Sequence, residues 1–167
     1  MPQWVKKESR ELNDEIVIPS DAVVSLREIS KDTLDEILAL EVTENQRQFV
    51  ATNAKSIAQA HFAGDVAWFR AIYADETPVG FLMLSDDREE QEYFLWRFMI
   101  DRRFQRRSFG WKALALLVEH VRPLPGAKEL LTSYVPGEGS PGPFYHAFGF
   151  VDDGRVEEGE NVSVLKL

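Results

Sequence analysis

Residues 105 to 121 read QRRSFGWKALALLVEHV, a polar turn that runs into an apolar-rich stretch of helical character. Such a turn has the parts of an anion site. The first N–H groups of a helix have no intrahelical acceptor and lie at the positive end of the helix dipole. They can therefore converge on phosphate oxygens. Gly110 would let the backbone come close to an anion, because no Cβ stands in the way. Arg102, Arg103, Arg106, Arg107 and Lys112 crowd the segment, with no acid between 102 and 112. Guanidinium groups add charge-assisted bonds to an anion. Two readings fit these residues taken alone: a phosphate cradle, or a solvated basic loop in which Ser108 caps the helix.

The rest of the composition narrows the setting. The 167 residues carry a formal net charge of −9, which argues against nucleic acid as the main partner and favours a cationic or neutral one. There are no cysteines, so disulfides, thiolate nucleophiles and cysteine-held zinc are excluded. The first twenty residues lack the apolar core of a signal peptide. Apolar runs such as LALLV fall far short of the roughly 18 residues of a membrane span. A cytoplasmic protein with no membrane attachment and no metal is the expectation.

The elements that would position the turn follow from periodicity. Residues 1–20 are charged and irregular and read as an extension, with Trp4 free to dock on the domain or on a neighbouring chain. Residues 21–167 read as one domain. VVSLREI (23–29) reads as a strand, and SKDTLDEILALE and NQRQFVATNAKSIAQAHF as two helical stretches. Three β-rich runs, 66–74, 77–87 and 91–101, follow across short polar turns, which predicts an antiparallel meander. The helix from Ser108 to Val121 stops at RPLPG. A strand over 127–135, the loop PGEGSPGP, a short helix in FYHAFGF ended by Gly149, and a last strand NVSVLKL complete the chain. The fold class is α+β with a mixed, largely antiparallel sheet flanked by helices.

In this order the strand WRFMID, the turn RRFQRRSFG, the helix WKALALLVEHV, the strand LLTSYV and the segment FYHAFGF resemble the GNAT N-acetyltransferase superfamily. The likeness covers roughly residues 23 to 167. The stretch LEVTENQRQFVATNAKSIAQA is similar to the helical region of the bacterial spermine/spermidine branch. The resemblance implies a sheet splayed between its fourth and fifth strands, with acetyl-CoA as co-substrate in the gap. Phe98, Met99 and Ile100 would offer backbone groups to the acetyl carbonyl and pantetheine. The turn Gln105, Arg106, Arg107, Ser108, Phe109, Gly110 and Trp111 would take the pyrophosphate. Tyr145 would meet the sulfur, where its phenol can donate a proton to the leaving thiolate.

Two departures accompany that likeness. Ser108 replaces the first glycine of the turn, at little cost if its φ is negative and about 1–2 kcal/mol if it is positive. Glu138 stands at the spacing where relatives often carry asparagine. The acceptor would be a primary amine, with a small polyamine such as spermidine or spermine as the leading expectation. Glu41 and Glu44 are candidates to attract it, although a solvated helix face accounts for them equally well. Alternatives are an amino acid, an antibiotic or a protein N-terminus, or a binding module that has lost catalysis. No general base is evident among His61, His120 and His146. Trp96 and Arg97 should face opposite sides of their strand. Dimers are common among proteins of this fold, and a homodimer is compatible with the extension.

Overall fold

The computed structural model describes residues 16–167. The expected contact through Trp4 lies outside them. Seven strands form one sheet in the order β1-β2-β3-β4-β5-β7-β6. They are β1 Val24–Arg27, β2 Ala67–Ala74, β3 Thr77–Asp87, β4 Glu92–Ile100, β5 Glu129–Tyr134, β6 Val151–Glu157 and β7 Glu160–Lys166. The helices are α1 Leu34–Leu38, α2 Asn53–Ala63, α3 Phe109–Val121 and α4 Gly142–Phe148. Neighbouring strands are antiparallel except β4 and β5. No helix among the described residues is long and apolar enough to cross a membrane.

Both faces of the sheet are covered, which explains why the central strands read as nearly continuous apolar runs. In β3, Leu82 and Leu84 point to the α3 side, and Phe81 and Met83 to the α1–α2 side. All four are fully buried, and burying such a side chain is worth about 1.5–3 kcal/mol. On α3, Ala113, Leu114, Leu117, Val118 and Val121 make one buried stripe against the sheet. Ile18 and Ala22 join the same cluster.

Three elements differ from expectation. The first helix is short, Leu34–Leu38, because Ser30 is used in a turn whose N–H bonds to Thr33 Oγ1 at 3.0 Å. The second begins only at Asn53, where the Thr52 hydroxyl accepts from the Lys55 N–H; residues 44–46 form a separate 3₁₀ turn. A seventh strand, β6, has no counterpart in the sequence reading. Every one of its residues is exposed, and its pairing with β7 skips between Asp152 and Val156, so VDDGRVE has no alternation to reveal it.

Candidate functional site

The parallel pairing of β4 with β5 holds only at Phe94↔Leu131 and Leu95↔Thr132. Beyond Leu95 the strands part, and backbone groups of β4 that face β5 lose their ladder partners. A cleft of about 1220 Å³ opens there. Its walls include Phe98, Met99 and Ile100 of β4, Thr132, Ser133 and Tyr134 of β5, and Tyr145 of α4.

A bulge shapes the β4 wall. Met83 pairs with Arg97 and Leu84 with Leu95, so Trp96 is an extra residue. Consequently Trp96 and Arg97 lie on the same face rather than opposite ones. Trp96 packs on the α1–α2 cluster, and Arg97 Nη2 donates to Gln59 of α2 at 3.0 Å. Alternation then resumes, with Phe98 stacked on Phe144 and Met99 on the α2 side.

The basic turn lies at one end of the cleft. Gln105, Arg106, Ser108, Gly110 and Trp111 line it, whereas Arg107 does not and Phe109 is buried in the core. The first intrahelical bond of α3 runs from the Lys112 N–H to the Ser108 carbonyl. The N–H groups of Phe109, Gly110 and Trp111 therefore have no acceptor within the helix. Arg106 and Ser108 both adopt positive φ, 61° and 62°, and such alternation of left- and right-handed residues turns successive N–H groups to one side. The Ser108 side chain makes no capping bond. A Cβ on Gly110 would meet Ile100 at 3.4 Å and Phe144 at 3.6 Å, so the bare backbone leaves room that a side chain would fill. These residues suit a pyrophosphate.

Ser108→Gly removes the left-handed cost of about 1–2 kcal/mol and adds about 0.5–1 kcal/mol of unfolded-state entropy. The expected outcome is a small net rise in Tm, checked by thermal denaturation.

Two polar struts hold the turn, and sequence reasoning missed both. Gln105 and Gln46 exchange side-chain hydrogen bonds, at 2.7 Å in the stronger direction, and Gln105 Nε2 also donates to the Ile100 carbonyl at 3.0 Å. Asp101 accepts from the Glu41 N–H at 2.9 Å, the Arg103 N–H at 3.0 Å and Arg103 Nε at 2.8 Å. Burial alone would push the Asp101 carboxyl up, but the bonds from Arg103 and Glu41 outweigh it and hold the group below its usual range. The depressed folded value means that its contribution is complete above the unfolded value near 3.9 and is lost as pH falls through the folded one. Asp101→Asn should cost about 2–3 kcal/mol at neutral pH, because an amide presents donors to donors. Urea denaturation should show that gap closing as pH drops below about 4.

Tyr145 is buried at the parting of the strands. Burial pushes its phenol up to about 12, with the Thr132 hydroxyl partly opposing and the Glu160 charge reinforcing the shift. It holds a proton firmly at neutral pH.

The other sequence candidates lie elsewhere. Glu41 and Glu44 are outside the cleft lining. They pair with Arg47 at 3.6 and 2.9 Å. None of the three histidines lines the cleft. His61 is exposed at the end of α2. His120 stacks on Trp68 at 4.0 Å, and its burial pushes its pKa down. His146 Nε2 lies 2.9 Å from Asp152 and 3.3 Å from the Tyr134 hydroxyl. Glu138 is exposed and also outside the lining.

Residues 27–150 match the sequence profile of the Acetyltransferase (GNAT) family. The chain is 27% identical over 154 residues to the spermine/spermidine N(1)-acetyltransferase of Bacillus subtilis, covering 86% of this chain and 99% of that protein. Among solved structures, a domain from Methanocaldococcus jannaschii superposes with a TM-score of 0.71 at 13% identity, covering 88% of this chain and all of that one. The PaiA N-acetyltransferase of Thermoplasma acidophilum, solved in complex with coenzyme A, gives 0.65 at 15% identity, covering 87% of this chain and 99% of that one.

Proposed function

The chain belongs to the acetyltransferase (GNAT) family and is an acetyl-CoA-dependent N-acetyltransferase, and from that premise we propose that it acetylates a small polyamine by direct transfer. The observation that carries the mechanism is the buried Tyr145 at the point where β4 and β5 part. Acetyl-CoA supplies an activated acetyl carbonyl and a thiolate leaving group.

The chain's own residues divide the work. The N–H groups of Phe109, Gly110 and Trp111 hold the pyrophosphate, and Arg106 and Ser108 add donors from the turn. Arg107, exposed and outside the cleft lining, takes no part in this hold. Gln105 fixes the turn against β4 and occupies the Ile100 carbonyl. Phe98 presents its backbone groups to the acetyl carbonyl and the pantetheine, whereas those of Met99 are taken up by the ladder with Phe81 of β3 and contribute only a wall. The Tyr145 hydroxyl hands its proton to the sulfur as the thiolate leaves.

The spermine/spermidine enzyme of B. subtilis supports the polyamine acceptor. A second reading rests on the cations that line the cleft, Arg47, Lys55 and Arg97: an amine that also bears a carboxylate, such as an amino acid. A thiol-release assay over spermidine, spermine and a panel of amino acids separates the two. Turnover of spermidine at the highest kcat/KM is the expected outcome. Turnover confined to amino acids would replace the polyamine with the second reading.

A further inference from the structure

The acceptor amine arrives as an ammonium and must lose a proton before its nitrogen can attack, yet no imidazole lines the cleft. Glu41 and Glu44 lie outside it and are engaged by Arg47. The carboxylates that do line it are Glu157, Glu158 and Glu160. The first two are exposed; Glu160 is half-buried.

Strand register accounts for its place. β7 pairs with β5 at Thr132↔Ser163, Ser133↔Val162 and Tyr134↔Asn161. Glu160 therefore follows one step beyond Tyr134, beside the part of β5 that has separated from β4. The Ser133 hydroxyl donates to Glu160 Oε2 and fixes the carboxylate. Oε1 has no hydrogen-bond partner among the described residues, and no cation there lies within ion-pair distance. Tyr145 of α4 and Arg97 of β4 line the same cleft, and the Glu160 charge acts to raise the pKa of both. Arg97 is held by the Trp96 carbonyl and Gln59, so its guanidinium is not spent on Glu160.

We propose that Glu160 binds the ammonium of the acceptor through Oε1 and takes its proton. This rests on the acetyltransferase reading and adds the residue that completes it. One ammonium proton passes to Glu160. The freed lone pair forms the C–N bond to the acetyl carbon as the C–S bond breaks, and the Tyr145 proton goes to sulfur. A second nitrogen proton restores the phenol, and Glu160 releases its own to water. Glu160 and Tyr145 thus act from the β7 and α4 sides of the same opening.

The test is Glu160→Gln, whose amide oxygen still accepts from Ser133, with an unchanged Tm as the control for folding. Isothermal titration should give a coenzyme A affinity within about twofold of wild type, and spermidine binding to the coenzyme A-loaded protein at least about tenfold weaker. The kcat should fall about 100-fold or more. Equal spermidine affinity in the two proteins overturns the role of Glu160 and leaves the acetyltransferase reading intact. A wild type that binds coenzyme A but no spermidine overturns the polyamine acceptor, and the ammonium site at Glu160 with it. A wild type that binds no coenzyme A overturns the cofactor reading itself, and Glu160 with it.

Discussion

Tyr145→Phe should lower kcat by about 100-fold or more, because a positioned general acid is worth about 10²–10⁴. Coenzyme A affinity should stay within about twofold, since the ring and its packing remain while only the hydroxyl is lost. Stability should also hold: Thr132 Oγ1, the neighbour of that hydroxyl, already donates to the Leu95 carbonyl at 3.1 Å. The pH dependence is a sharper signature. An ordinary phenol titrates near 10 and would begin to fail as a proton donor in mildly alkaline solution. The Tyr145 phenol is pushed up to about 12, so its proton stays in place and kcat should show no alkaline fall below about pH 10. An unchanged kcat in the variant, measured at saturating amine, would remove Tyr145 from the reaction.

Gly110→Trp should abolish measurable coenzyme A binding. A Cβ at this residue would already touch Ile100 and Phe144, so an indole has no room there and must push into the space in front of the first N–H groups of α3. Losing two charge-assisted bonds at about 1.5–3 kcal/mol each weakens binding about 100-fold or more. Gly110→Ala is the graded partner. Its methyl would sit in ordinary contact with Ile100 and Phe144, so the fold should tolerate it and the affinity should fall by much less. Titration calorimetry on both variants, with Tm as the folding control, checks the pair. Wild-type affinity in the tryptophan variant would mean that the phosphates do not approach this turn.

The sequence made legible what is governed by local pattern. The meander β2–β4, the helix α3 with its apolar stripe and the end of α4 at Gly149 follow from periodicity and a glycine at φ 122°. The splay was expected from family likeness, and the pairing of only two residues between β4 and β5 agrees with it. What stayed hidden depends on distant partners. Nothing around Asp101 announces that it ties Glu41 to Arg103, since the bond to Glu41 spans 60 positions. Glu160 sits among other acids in an exposed hairpin, and only the register of β7 against β5 brings it to the cleft that Tyr145 lines. The handedness of Ser108 was likewise undecidable: serine suits both a cap and a tolerated left-handed residue, and the backbone takes the second.

The extra residue at Trp96 bears on how this chain can change over time. The bulge is slack in the strand: Leu95 opposite Leu84 and Arg97 opposite Met83 are already in one register, and the extra residue is absorbed between them. Loss of that one codon would close the ladder with β3 into regular pairing and leave Phe98 on Phe144 and Met99 on the α2 side. What would go is the indole packed on the α1–α2 cluster and the local bend that a bulge adds near the point where β4 leaves β5. A second deletion in β4 would have no such slack to draw on and would turn later side chains to the opposite face. Descendants of this sequence can therefore shorten β4 by one residue at this place without scrambling the cleft wall.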